Sequence, residues 1–320
     1  MMKTVAAIEP EVAPLERYAG LAREEMAPAI SAPSRFADYL ELTKPRIAVM
    51  ALFTVGVGYI LAAGASAHFV VLIHTLLGAG LVAAGGSALN QWLERRIDSR
   101  MYRTMKRPLP AGRIAPVEAF AFGVGMSFVG LVYLFATVPY PAGIAAAVTL
   151  VSYVLIYTPL KTMTVWNTVV GAVPGALPPV IGWCAARGWS GLDGALGLFL
   201  VIFIWQLPHF LAIAWMYRDD YARGGLRMLP ITDPSGTRTA WVMVVTCSAL
   251  IPIGLLSVGL HVAGPFAAIG CAILGLFFLR EAVRFDRTRT DRQARRVLRA
   301  SLLYLPGALG LLLVDGFLFR

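Results

Sequence analysis

The sequence predicts an all-α polytopic membrane protein built from nine spanning helices, and three observations carry that prediction. Of its 320 residues 58% are hydrophobic and only 14% are charged, about half the charged share of a soluble domain. Its apolar runs are long enough for helices of about 20 residues to cross a bilayer. The runs are also continuous rather than alternating, which excludes the strands of a membrane barrel.

In chain order the spans fall at 46–64, 69–92, 117–137, 141–158, 166–186, 195–216, 239–260, 263–280 and 300–318. The second ends in a loop rich in acids and bases, 93–116, and the sixth in another, 217–238. If the first four spans and the next four repeat one plan, these two loops meet at one mouth. The fifth span holds VVGAVPGALPPVIGW, 169–183, whose small residues and prolines suit close packing or a kink beside a cavity. Residues 37–320 form the membrane domain. Residues 1–36, Pro- and Ala-rich with Glu9, Glu11, Glu16, Glu24 and Glu25, read as a disordered polar cytoplasmic tail. No signal peptide is visible, and the acids argue against a transit peptide.

The net charge of +10 is topological and does not point to nucleic acid. Lys44 and Arg46 precede the first span. Arg95, Arg96, Arg100, Arg103, Lys106, Arg107 and Arg113 follow the second. Lys161 follows the fourth, Arg218, Arg223, Arg227 and Arg238 the sixth, and the run Arg280 to Arg299 the eighth. Only Arg187 and Arg320 fall on the other side, which puts the N-terminus in the cytoplasm and the C-terminus outside. Cys184, Cys247 and Cys271 have no paired spacing and read as small core residues.

Two acidic clusters carry the chemistry. Asn90, Glu94 and Asp98 are spaced i, i+4, i+8 and fall within about 80° on a helix, so all three face one way. Mg²⁺ takes one or two carboxylates plus waters and phosphate oxygens, which this face can provide. The competing reading pairs the acids with Arg95, Arg96 and Arg100 in a solvated loop. In the second cluster Asp219 and Asp220 are flanked by Tyr217 and Tyr221 and followed by Gly224 and Gly225. Neighbours on a helix diverge by about 100°, so both can address one ion only if the helix unwinds; otherwise they end the helix and pair with Arg218 and Arg223. Arg103, Lys106, Arg107, Lys161, Arg223 and Arg227 are candidate diphosphate ligands and also topogenic charges. Lys161 stands nearly alone in its loop, YTPLKT, where one charge is weak topology but a usable ligand. His209, inside the sixth span, suits packing first, then a proton relay or haem contact. Asn167 is ambiguous in the same way.

NQWLERRIDSRMYRTMKRPLPAGRI resembles the first signature of the intramembrane prenyltransferases of the UbiA superfamily. YTPLKTMTVWNTVVGAVPGALPPVIGW and WQLPHFLAIAWMYRDDYARGGLRMLP resemble the haem-farnesylating branch of that superfamily. The resemblance runs from about Leu40 to the C-terminus. It implies a nine-helix bundle with a central cavity, farnesyl diphosphate bound through Mg²⁺, and a vinyl group of haem B as the acceptor, water being added to give haem O. Asn90, Glu94 and Asp98 fall on the first metal–diphosphate motif, Asp219 and Asp220 in the second, and Lys161 and Arg107 beside the diphosphate. Tyr217 and Tyr221, at the outer positions of the second motif, would stabilise a cation, position water or pack.

The chain has Gln91 where relatives acting on aromatic acids carry an acid, and Thr162 where arginine often follows the lysine. The number of Mg²⁺ ions stays open. The resemblance also implies a bacterial cytoplasmic (inner) membrane setting and a haem A synthase or terminal oxidase assembly as partner. Rival readings are a prenyltransferase for a quinone precursor or another tetrapyrrole, and a non-catalytic transporter or haem-handling assembly factor. Transporters place their charges near the bilayer midplane, whereas these acids cluster at one face.

Overall fold

The computed structural model describes residues 34–259 and 264–319, and every regular element among them is helical. A short helix, α1 (Arg35–Leu42), leads into α2 (Pro45–Ala63) and α3 (Phe69–Asp98). Then come α4 (Pro116–Thr137), α5 (Tyr140–Val151), a π-helical turn (Ser152–Tyr157) and α6 (Thr158–Met163). The chain continues through α7 (Asn167–Ala176), α8 (Pro178–Arg187), α9 (Leu192–Met216), α10 (Arg218–Arg223) and α11 (Leu229–Thr232). It closes with α12 (Thr237–Gly259), α13 (Pro265–Thr288) and α14 (Asp291–Phe319). Among the described residues nine helical stretches are long and apolar enough to cross a membrane. This is an integral membrane protein.

Several boundaries differ from the sequence reading, the largest of them because a helix outlasts its apolar stretch. α3 runs on to Asp98, so the first acidic cluster lies on one unbroken helix. The run Arg280 to Arg299 is not a loop. Its arginines ride on the ends of α13 and α14, which meet at Arg289 in the left-handed conformation (φ 49°). Hydropathy marks where a helix is apolar, and arginine is a good helix former beyond that point. The expected tail, apart from 34–36, lies outside the described residues, and α1 already begins at Arg35.

The fifth span is interrupted at Leu177, before the Pro178–Pro179 pair, whose missing N–H groups interrupt the helical hydrogen bonding between α7 and α8. α8 then lies against α2 with backbones nearly touching. A Cβ on Gly182 would stand 1.9 Å from the Val55 carbonyl oxygen, so only glycine permits this approach. The three cysteines are buried and unpaired, as their spacing implied.

Candidate active site

The last turns of α3 present Asn90, Glu94 and Asp98 together, and all three are buried, at 1%, 8% and 1% exposure. These values exclude the solvated-loop reading. Each acid meets a cation from another part of the chain. Lys161 Nζ lies 2.5 Å from Glu94 Oε1, and Arg107 Nη1 lies 2.8 Å from Asp98 Oδ2. Lys44 Nζ donates to Asn90 Oδ1 at 2.7 Å, and Asn90 Nδ2 donates to Thr158 Oγ1 at 3.1 Å. Three basic side chains and two carboxylates thus converge, a set of donors and acceptors suited to holding an anion beside a cation.

Local geometry explains the convergence. The π-helical turn Ser152–Tyr157 rephases the fourth span just before Thr158 and Lys161, a device found often at functional sites. Tyr157, stacked with Tyr153 at 5.9 Å, places its ring 4.6 Å from Lys161 Nζ. It fits because residue 171 is glycine; a Cβ there would lie 2.3 Å from the Tyr157 ring. On the opposite side Lys44 adopts a left-handed conformation (φ 49°) directly before Pro45, where extended backbone is the norm. Burial and the nearby Arg107 push its ammonium down to about 7. Lys44 and Thr158 were missed in the sequence, where Lys44 read only as a topological charge. The Lys44-Pro45-Arg46 step was the one signal available.

The two loops do meet, and of the two readings of the second cluster Asp220 makes the pair with Arg223. Asp220 accepts hydrogen bonds from the backbone N–H groups of Tyr102 (2.8 Å) and Arg103 (3.2 Å), and pairs with Arg223 at 2.7 Å. Burial alone would raise this carboxyl, yet Arg223 and the two N–H groups outweigh it and hold it below the ordinary carboxylate range. Asp219 is exposed on α10. Tyr217 and Tyr221 flank the Arg103 guanidinium at 5.0 and 5.3 Å, and Tyr221 accepts a hydrogen bond from it at 3.1 Å. The second cluster therefore clasps the loop that carries Arg103 and Arg107.

The remaining candidates divide. Lys106 is exposed. Arg223 is committed to Asp220 and lies over the Tyr102 ring at 4.0 Å. Arg227 donates its backbone N–H to Lys161 O at 2.7 Å and its side chain to Met163 O at 3.2 Å. Asn167 is fully buried and ties Thr164 O (2.6 Å) to Arg227 O (2.8 Å), so it braces the Lys161 turn. His209 stacks on Trp205 at 4.9 Å and bonds Ser301 Oγ at 2.7 Å through Nδ1, the packing role.

Among the described residues no three of His, Cys, Asp and Glu gather around one point, so a cation here would rest on Glu94 and Asp98 with the Asn90 amide beside them. Asp98 Oδ1 is buried with no hydrogen-bond partner. A small donor set with a spare carboxylate oxygen fits Mg²⁺, which keeps waters and takes phosphate oxygens.

Fold and site together define a helical membrane protein with a cation-rich, buried carboxylate site at the end of a span. The chain belongs to the UbiA prenyltransferase family, whose profile matches residues 51–303. Over 287 residues it is 45% identical to the protoheme IX farnesyltransferase of Solibacter usitatus, covering 87% of this chain and 98% of that one. Over 281 residues it is 43% identical to the protoheme IX farnesyltransferase of Salinibacter ruber, covering 88% and 99%. In fold it resembles a digeranylgeranylglyceryl phosphate synthase (TM-score 0.72, 19% identity, 88% and 98% covered). It also resembles a UbiA homolog from Archaeoglobus fulgidus bound to GPP and Mg²⁺ (TM-score 0.59, 14% identity, 86% and 99% covered).

Proposed function

We propose that this protein transfers a farnesyl group from farnesyl diphosphate to a vinyl group of haem B, with addition of water, giving haem O and diphosphate. The observation that carries the reading is the buried meeting of Glu94 and Asp98 with Lys161, Arg107 and Lys44. The similarity to proteins named protoheme IX farnesyltransferase over nearly their full length supports the acceptor.

Glu94 and Asp98, with Asn90, would hold Mg²⁺, which when bound supplies positive charge beside the diphosphate. Lys161, Arg107 and Lys44 bind and orient the diphosphate, and their charge stabilises the electron pair it gains as the allylic C–O bond breaks. The Tyr153–Tyr157 stack offers aromatic faces next to Lys161 that favour a developing carbocation. Asp219 and Asp220 act through the loop carrying Arg103 and Arg107, not as ligands of the ion.

The bias of Lys and Arg supports a site facing the cytoplasm, the N-terminus on that side and the C-terminus outside, in a bacterial inner membrane. A haem A synthase or terminal oxidase assembly is the partner class we propose for taking up the product.

Purified protein in nanodiscs, given haem B, farnesyl diphosphate and Mg²⁺ and followed by mass spectrometry, tests the reading. The expected product is farnesylated, hydrated haem, lost with EDTA and in Glu94→Gln. Unmodified haem alongside prenylation of a quinone precursor would refute the acceptor.

A further inference from the structure

The end of α13 and the start of α14 hold more arginine than their own acids can neutralise. Glu281, Asp286 and Asp291 are each paired already, with Arg284 (2.8 Å), Arg289 (3.3 Å) and Arg218 (2.8 Å). Arg280, Arg287, Arg292, Arg295, Arg296 and Arg299 are all exposed and have no ion-pair partner among the described residues. On α14, Arg292, Arg295, Arg296 and Arg299 fall within about 100° of arc, and the exposed Leu302 and Leu303 continue that face. On α13, Arg280 and Arg287 likewise continue the exposed row Ile273, Leu276 and Phe277. The other faces, with Phe278, Phe285, Val297 and Tyr304, are buried in the core.

The two helices pack side by side. A Cβ on Gly270 would stand 2.5 Å from Leu311 Cδ1, and one on Gly307 would stand 2.9 Å from Leu274 Cδ1. Residues equally far from the Arg289–Thr290 turn are therefore neighbours in height, which brings Arg280 and Arg299 level, about 14 Å from the turn. On one side of that level the outer surface is apolar, and on the other it is cationic. The Arg218–Asp291 pair sets the cationic ends beside the second acidic cluster, on the same side of the membrane. A charge that only orients a span works from any place in its loop and needs no common face. Unpaired guanidinium groups in a row at the edge of a lipid-facing surface match phosphate, with their stems along the acyl chains.

We propose that this α13–α14 face is a binding site for anionic phospholipids, with their headgroups on Arg280, Arg295, Arg296 and Arg299 and their acyl chains along the apolar rows below. The headgroup layer is about 5–7 Å deep on each side of a bilayer, the rise of about four helical residues. It therefore takes in the stretch from Arg299 to Arg295 and, on α13, Arg280. Arg287 and Arg292 stand beyond it and add attraction over the Debye length.

The test offers the full chain, in detergent, equal amounts of phosphatidylglycerol and phosphatidylcholine with the same acyl chains, and counts retained lipids by native mass spectrometry. No substrate is present, so the outcome is independent of the reaction. Wild type is expected to retain phosphatidylglycerol over phosphatidylcholine by about tenfold or more, a preference that falls as salt rises. Arg280→Gln/Arg299→Gln is expected to lower the preference at least about fivefold, the worth of one arginine at a lipid surface. Arg280→Lys/Arg299→Lys keeps both charges and is expected to stay within about twofold of wild type. Arg96→Gln/Arg100→Gln removes the same charge from exposed positions elsewhere on that side, and is expected to change the preference by less than about twofold. Equal falls in the two Gln pairs would reduce the effect to net charge and overturn the site, as would a wild type without preference. Binding of polyglutamate in place of phosphatidylglycerol would overturn it in favour of an acidic protein partner. Where the Gln pair is not recovered folded, Arg299→Gln alone makes the comparison, with an expected fall of about threefold.

Discussion

Glu94–Asp98 and Asp219–Asp220 look alike in sequence: each acidic pair ends a span and is followed by basic residues. The structure separates them by what their carboxylates touch. The first pair is buried against side-chain cations, and one of its oxygens, Asp98 Oδ1, is uncommitted. In the second, Asp220 is filled by two backbone N–H groups and Arg223, and Asp219 faces outward. Backbone donors hold a carboxylate in place, whereas cations on long side chains can turn to an incoming phosphate. An acidic motif is thus defined less by its acids than by whether its partners can exchange them for substrate.

The sharpest way to break this contrast is to neutralise the first pair. Glu94→Gln and Asp98→Asn are each expected to lower kcat by about 10²–10³, as for loss of one preorganised electrostatic group, measured as farnesyl-haem formed. Next comes Lys161→Met, expected to cost about 10² in kcat/KM for farnesyl diphosphate. It also leaves Glu94 without its closest cation, a loss of about 3–5 kcal/mol where a buried pair is broken, which thermal unfolding in detergent would report. Asp220→Asn should act more mildly, raising KM for farnesyl diphosphate about threefold to tenfold through a loosened loop while largely sparing kcat.

Its pH dependence sharpens the point. Because the folded Asp220 carboxyl lies below its ordinary value of 3.8, its stabilisation is complete above that value. It is lost as the pH falls through the lower folded value. The stability gap between wild type and Asp220→Asn should therefore be constant near neutrality and close in acid. The smallest effect is expected from His209→Phe, which removes the bond to Ser301 at a cost of about 1 kcal/mol and leaves turnover within about twofold.

Much of this was legible in the sequence. Continuous apolar runs gave the spans, and the i, i+4, i+8 spacing put Asn90, Glu94 and Asp98 on one face. Lys161 stood out because a lone charge in a short loop has little topological use. The rest depends on what crosses between helices. Nothing local shows that Lys44 reaches Asn90, 46 residues away, from a left-handed turn. The N–H groups that occupy Asp220 lie 117 and 118 residues away and leave no mark on side-chain identity. The extended ends of α13 and α14 escaped because hydropathy reports solvent, not helicity.

The central claim, that the first cluster works on the diphosphate while the second holds a loop, is tested most directly by one titration. Turnover of haem B with farnesyl diphosphate would be measured across Mg²⁺ concentrations for wild type, Glu94→Gln and Asp220→Asn side by side. The account predicts that Asp220→Asn keeps the wild-type Mg²⁺ midpoint, whereas Glu94→Gln loses turnover at every concentration. A midpoint shifted about tenfold or more in Asp220→Asn would make the second cluster a metal ligand and contradict the account.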